Sequence, residues 1–121
     1  MPFVFVVDDD EDIRDSLKIW FTKRKYEVET FDSGKNLIEE VNNKKPDLIM
    51  MDIRLQGQSG LNISRDIKEH AKHPVKIILA SGDPAALLSY QYAYADGIIH
   101  KPFLLSELEG KIRKLLNLSK W

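Results

Sequence analysis

The apolar run Phe3-Val4-Phe5-Val6-Val7 leads directly into three aspartates, Asp8-Asp9-Asp10, and this stretch decides the fold. A short apolar run that ends in turn-forming acids predicts a buried strand with charge at its carboxyl end. Similar runs occupy residues 28–31, 48–51, 77–80 and 98–99. Between the runs, apolar residues recur at helical spacing, and these are Ile13, Leu17, Trp20, Phe21, Leu37, Ile38, Val41, Ile63, Ile67, Leu105, Leu108, Ile112, Leu115 and Leu116. Alternation of this kind, repeated about five times, predicts an α/β fold with helices on both faces of a parallel sheet.

Length and composition place the chain among single globular domains. Its 121 residues are slightly fewer than the roughly 150 of a typical domain, so we expect one unit spanning residues 1–121. Lysine and arginine number 18 against 19 acidic residues, a net charge of −1, which predicts no direct binding of nucleic acid. Cysteine is absent, which excludes disulfides and thiolate metal sites. No apolar run approaches the roughly 18 residues of a membrane span, so we expect no membrane association and a cytoplasmic location.

Two helix starts can be predicted from capping patterns. Ser106 followed by Glu109 fits a capping box at the start of the last helix. Asp83 followed by Pro84 fits the N-cap and first position of a helix after the fourth strand. Within residues 90–94 the tyrosines alternate with a period of two, which favours a strand. We predict a helix, which would place Tyr90 and Tyr94 together and Tyr92 elsewhere.

Acidic residues follow two of the predicted strands. Asp8, Asp9 and Asp10 follow the first strand and Asp52 follows the third, so they converge if these strands are neighbours. Two charges about 4 Å apart repel by roughly 4 kcal/mol at an effective dielectric near 20. A hard divalent cation such as Mg²⁺ would relieve this repulsion. For any single aspartate, turn formation or helix capping is the commoner explanation, and we accept it for Asp12 and Asp15.

Two other strand ends carry polar side chains. Ser81 follows the fourth strand and Lys101 follows the fifth. Each is an ordinary residue alone, a serine being commonly a cap and a lysine commonly solvated. Together with the carboxylates they predict a pocket for a metal ion and an anion at one edge of the sheet.

At these positions the chain resembles the receiver domain of two-component response regulators. The matching strings are Val6-Val7-Asp8-Asp9-Asp10, Leu48-Ile49-Met50-Met51-Asp52 with Gly60, Ile78-Leu79-Ala80-Ser81-Gly82, and Lys101-Pro102-Phe103. Separated motifs that agree in order and spacing are a stronger signal than any one of them. The resemblance covers the whole chain and implies a flavodoxin-like (βα)5 fold, with a doubly wound five-stranded sheet in the order 2-1-3-4-5.

The resemblance also implies a role for each site residue. Asp52 would accept a phosphoryl group from a histidine kinase or phosphotransfer protein, while Asp9, Asp52 and the backbone carbonyl of Arg54 would hold Mg²⁺. Asp8 would contact the ion through water. Lys101 would pair with Asp52 and then with the phosphoryl group, and Ser81 would donate its hydroxyl to that group as part of the conformational switch.

The resemblance implies two further features, a cis proline beside the site and a partner downstream. Pro102 resembles the family's cis proline, and the partner downstream would be an effector protein or an output domain missing from this chain.

Three features near the site concern regulation. Gln56 occupies the position four residues after Asp52 where the family usually has proline, which predicts a more flexible loop. Ile98 replaces the family's switch aromatic. These departures leave open an alternative, a receiver-like interaction module that works without phosphorylation. Arg54 and Asp83 flank the expected mouth of the site. Our hypothesis is a salt bridge there that slows hydrolysis of the phosphorylated form, and the alternative is two solvated side chains whose interaction contributes less than about 1 kcal/mol.

Overall fold

Five parallel strands form the main sheet of the computed structural model, which describes residues 1–83, 85 and 94–118. In chain order the strands are β1 (Phe3–Val7), β2 (Glu27–Phe31), β3 (Leu48–Asp52), β4 (Arg54–Leu55), β5 (Gln58–Ser59), β6 (Lys76–Ser81) and β7 (Gly97–His100). The main sheet has the order β2-β1-β3-β6-β7, while β4 and β5 form a separate antiparallel pair. With that pair set aside, the order is 2-1-3-4-5, which confirms the predicted fold.

The side chains of each strand point alternately to the two faces of the sheet, and helices cover both faces. The described helices are α1 (Glu11–Lys23), α2 (Leu37–Lys44), α3 (Gly60–His70) and α4 (Leu105–Leu116). Phe5 and Val7 pack in one buried cluster with residues of α2 and α3. Val4 and Val6 point to the other face and pack in a second cluster with residues of α1 and α4. The central strand β1 is therefore buried on both sides, as its continuous apolar run predicted.

No helix within the described ranges combines the length and the apolar character that crossing a bilayer requires.

The two predicted helix starts have different outcomes. Ser106 is not an N-cap, because α4 begins at Leu105 and its N-cap is Leu104, which makes no side-chain cap bond. The Leu104 carbonyl accepts hydrogen bonds from the N–H groups of Glu107 and Leu108, so the first turn closes before Ser106 can cap it. Asp83 does accept a hydrogen bond, from the backbone N–H of Ala85 at 3.0 Å, as a cap would. The helix predicted after it, including Pro84 and residues 86–93, lies outside the described residues.

Gly60 sets how closely α3 approaches the end of β3. It is buried, and its N–H donates to the carbonyl of Ile53 at 2.7 Å. A Cβ atom at this position would meet the backbone carbonyl oxygen of Asp52 and would lie 2.9 Å from the Cα of Ile53. Both obstacles are backbone atoms, which cannot rotate away. The helix can start beside Asp52 only because residue 60 has no side chain.

We therefore expect Gly60→Ala to destabilise the protein by about 2 kcal/mol through overpacking, as judged by urea unfolding. Gly110→Ala is the matched control, because Gly110 lies in α4 and a Cβ there meets nothing within 4 Å. This control should be stabilising by up to about 1 kcal/mol, since alanine favours a helix interior more than glycine. Equal effects of the two substitutions would show that the close packing at Gly60 is unimportant.

Candidate functional site

Asp8 lies at the end of β1, buried between the neighbouring strands. Its backbone N–H donates to the carbonyl of Phe31 at 3.0 Å, which continues the pairing of β1 with β2. Its Oδ1 accepts a hydrogen bond from the N–H of Asp10 at 2.9 Å. Only 5% of Asp8 is exposed to solvent. A buried carboxylate needs a compensating charge.

Asp52 lies at the end of β3, next to Asp8, because β1 and β3 are paired. Its Oδ1 accepts a hydrogen bond from the N–H of Arg54 at 3.2 Å. Asp9, which follows Asp8, is exposed and completes the group. One carboxylate oxygen from each of Asp8, Asp9 and Asp52 lies within 4.8 Å of the others. The structure thus brings together three of the four acids that the sequence predicted to converge, whereas Asp10 caps α1 instead.

Lys101 joins two of these acids. Its Nζ lies 2.9 Å from Oδ2 of Asp8 and 2.8 Å from Oδ2 of Asp52. Burial by itself would lower the pKa of Lys101, but the hydrogen bonds and charges of Asp52 and Asp8 outweigh it, and the pKa is raised. The ammonium group therefore stays charged and holds the ends of β1 and β3 together.

Three carboxylates and one ammonium group fit a divalent cation. Among these four groups, Lys101 matches the charge of one carboxylate, and an excess of two formal negative charges remains. The ligand atoms are all oxygens, which is the donor set that Mg²⁺ prefers. Among the described residues, this is the group of acids that meets the distance requirement for a metal site. The residues present thus suit Mg²⁺, whereas the predicted contact to the carbonyl of Arg54 stays a prediction.

Ser81 faces the same depression from the end of β6. It is 1% exposed, and its Oγ accepts a hydrogen bond from the N–H of Asp83 at 3.0 Å. The depression has a volume of about 430 Å³ and is lined by Asp52, Arg54, Ser81, Gly82, Asp83 and Lys101. A larger cavity of about 600 Å³ involves Asp47 and Lys76, at the opposite ends of β3 and β6. The smaller depression is the candidate site because Asp52, Ser81 and Lys101, which lie at the carboxyl ends of the strands, line it.

The predicted salt bridge at the mouth of this depression is present. Nη2 of Arg54 lies 2.8 Å from Oδ2 of Asp83. The Arg54 side chain is 76% exposed and that of Asp83 is 35% exposed, so water screens the pair strongly. The bridge joins Arg54 in β4 to the segment after β6, and both residues line the depression that contains Asp52.

The family departures have structural consequences. Gln56 and Gly57 form the two-residue turn between β4 and β5, with Gly57 at a φ of 72°. β4 and β5 pair on either side of this turn, and the greater flexibility that the sequence predicted for the loop stays a prediction. Ile98 is partly buried and packs against the cluster on the α2 and α3 face of the sheet. The peptide bond between Lys101 and Pro102 is cis, as the resemblance implied.

Sequence reasoning missed two contacts of the loop after β1. Asp10 is the N-cap of α1, since its Oδ1 accepts hydrogen bonds from the N–H groups of Asp12 and Ile13. Nη1 of Arg14 donates to the backbone carbonyl of Asp8 at 2.7 Å. The sequence assigned turn formation or capping to Asp12 and Asp15, which was wrong, because both lie inside α1 and Asp10 is the cap. Nothing in the spacing of the sequence indicates the second contact.

Comparison with known proteins places this geometry in a family. A family model described as the response regulator receiver domain matches residues 4–113. The transcriptional regulatory protein AfsQ1 of Streptomyces coelicolor is 28% identical over 116 residues, which are 96% of this chain and 52% of AfsQ1. The chain therefore spans about half the length of such relatives.

Solved structures show the same likeness. The response regulator protein TrrA from Thermotoga maritima, in complex with Mg²⁺-BeF, superposes with a TM-score of 0.86 at 31% identity. The match covers 95% of this chain and 99% of TrrA. TrrA in complex with the histidine kinase ThkA gives a TM-score of 0.85 at 32% identity, covering 96% of this chain and 99% of that one.

The raised pKa of Lys101 leads to a pH prediction. The pKa of a lysine in the unfolded chain is about 10.4, and that of Lys101 in the folded protein is higher. The stability that Lys101 contributes is therefore fully present below the unfolded-state pKa and is lost as pH rises through the folded-state pKa. Urea unfolding at several values between about pH 9 and pH 12 should show a steeper loss of stability in the wild type than in Lys101→Met. Lys18→Met removes an exposed lysine and should behave like the wild type. Parallel curves for Lys101→Met and the wild type would contradict the pairing.

Proposed function

The chain belongs to the response regulator receiver family, and on that premise we propose that it accepts a phosphoryl group on Asp52. The donor is a phosphohistidine of a histidine kinase or phosphotransfer protein, and the receiving unit is residues 1–121 as one domain. One observation carries this proposal above the others. Lys101 binds Asp8 and Asp52, two members of a cluster of three carboxylates, at 2.9 and 2.8 Å. The acceptor and the cation that balances it therefore lie in the same open depression.

The transfer exchanges one bond to phosphorus for another. A carboxylate oxygen of Asp52 attacks the phosphorus, a P–O bond forms, and the P–N bond to the donor imidazole breaks with its electron pair returning to nitrogen. The product is an acyl phosphate. Before the reaction, the N–H of Arg54 binds Oδ1 of Asp52 and Lys101 binds Oδ2, so the carboxylate is held at both oxygens. Held in this way, the acceptor loses little orientational freedom when the donor arrives.

The metal belongs to the same proposal. Asp9, Asp52 and the backbone carbonyl of Arg54 would hold Mg²⁺, and Asp8 would contact it through water. Bound there, the ion offsets the negative charge of the carboxylates and of the phosphoryl oxygens. The excess of carboxylates over ammonium groups supports this assignment.

Lys101 and Ser81 act after the transfer. The ammonium group of Lys101 passes from Asp52 to a phosphoryl oxygen, which its flexible stem allows. The Ser81 hydroxyl accepts the N–H of Asp83 and still has its own proton to donate to the phosphoryl group. Movement of Ser81 toward the phosphate would carry the Asp83 loop with it, and this movement is the conformational signal to the partner.

The wider role follows from family membership. We propose that the domain works in the cytoplasm and controls a downstream effector protein or an attached output domain, without itself binding nucleic acid or a membrane. A second candidate, signalling without phosphorylation, is favoured by Ile98, since an aliphatic residue packs where the family has its switch aromatic.

Phosphorylation can be measured by intact mass. Incubation with acetyl phosphate and Mg²⁺ should add about 80 Da, the mass of one phosphoryl group. Asp52→Asn should abolish the gain, and chelation of Mg²⁺ by EDTA should reduce it strongly. Asp66→Asn, which changes an exposed acid of α3, is the matched control and should react like the wild type. A wild-type protein that gains no mass under these conditions would favour the second candidate.

The Arg54–Asp83 salt bridge should lengthen the life of the acyl phosphate by hindering the attacking water. Because an exposed pair contributes less than about 1 kcal/mol, we expect Arg54→Met to shorten the half-life by no more than about fivefold. Asp83→Asn keeps an oxygen for the Ala85 cap and should shorten the half-life to a similar degree. The double variant should show no further loss. Half-lives equal to that of the wild type in both single variants would show that the bridge does not shield Asp52.

A further inference from the structure

We propose that Arg14 is a positioning residue for the Mg²⁺ site and sets the direction of Asp9 by holding the peptide group before it. This inference rests on the proposed function, since it assumes that the three carboxylates bind the ion. Arg14 lies in the first part of α1, and its partly buried guanidinium reaches back over the loop that follows β1.

Arg14 completes the set of hydrogen bonds around Asp8. The N–H of Asp8 donates to Phe31, its Oδ1 accepts from Asp10, and its Oδ2 binds Lys101. The backbone carbonyl is the remaining polar group, and Nη1 of Arg14 donates to it at 2.7 Å. Every polar atom of Asp8 therefore has a hydrogen-bond partner. The partner of the backbone carbonyl belongs to α1, and the other three partners do not.

The carbonyl of Asp8 and the N–H of Asp9 belong to one planar peptide group. A hydrogen bond to the carbonyl resists rotation of that plane, and rotation of the plane would change the direction in which the Asp9 side chain leaves the backbone. Asp8 itself is fixed by burial, whereas Asp9 is exposed and depends on the backbone for its direction. Arg14 thus controls whether the oxygen of Asp9 stays near those of Asp8 and Asp52.

The positive charge of Arg14 and its hydrogen bond to the Asp8 carbonyl predict opposite effects on the affinity for Mg²⁺. A guanidinium beside the acidic cluster repels a divalent cation, so on charge alone its removal should tighten Mg²⁺ binding. A residue that orients a ligand commonly raises metal affinity 10-fold to 100-fold, so on position its removal should weaken binding. The sign of the change in affinity therefore separates the two roles.

The test is a calorimetric titration of the whole chain with MgCl₂. We expect Arg14→Met to raise the Kd for Mg²⁺ by about tenfold and Arg14→Lys, which keeps the charge and one donor, to recover part of that loss. Lys18→Met is the matched control, because it removes an exposed positive charge from the same helix. Its Kd should be unchanged or slightly lower.

A second measurement needs no metal. Hydrogen exchange in EDTA should be faster at the N–H groups of Asp9 and Asp10 in Arg14→Met than in the wild type, and unchanged in Lys18→Met. If Arg14→Met does not fold, Arg14→Gln takes its place, because glutamine is neutral and too short to reach the Asp8 carbonyl. A Kd equal to or below that of the wild type would overturn the role of Arg14. Failure of the wild type to bind Mg²⁺ would instead overturn the proposed function.

Discussion

Repulsion between carboxylates at the ends of two paired strands is the constraint on which this structure depends. β1 and β3 are neighbours in the sheet, so Asp8 and Asp52 cannot move apart without breaking the register of the central strands. Lys101 relieves part of the repulsion by binding both acids. The end of β7 must therefore lie near β1 and β3 although it pairs with β6. The fold and the site depend on the same strand pairing, because the pairing of β1 with β3 helps to bury the core and also brings the two carboxylates together.

Most of the fold could be predicted because each central strand contains a continuous apolar run. β1 matched its predicted range, and the other strands extended the predicted runs by one or two residues, as at Glu27 and Lys76. These added residues are polar or, at Gly97, glycine, so hydrophobicity could not reveal that they belong to the strands. The start of α4 was predicted wrongly at Ser106 because a capping pattern describes local preference alone. Backbone bonds to Leu104 close the helix earlier.

The site was predictable to the extent that it consists of strand ends. Asp8, Asp52, Ser81 and Lys101 each follow an apolar run, and parallel strands bring such ends to one edge of the sheet. The contact of Arg14 with the Asp8 carbonyl was not predictable, since it depends on the orientation of α1 relative to the loop after β1. The pairing of β4 with β5 was also missed, because strands of two residues are too short to show a periodic sequence pattern.

The position of Lys101 along the chain has a consequence for synthesis. A ribosome releases β1 and β3, with both acids, well before it releases β7. A nascent chain that has emerged through β3 thus carries the two carboxylates without the ammonium that balances them. Contacts between residues far apart in sequence also form slowly, because the intervening chain must first be closed into a loop. The amino-terminal half should consequently gain its native packing only once the whole domain has been made.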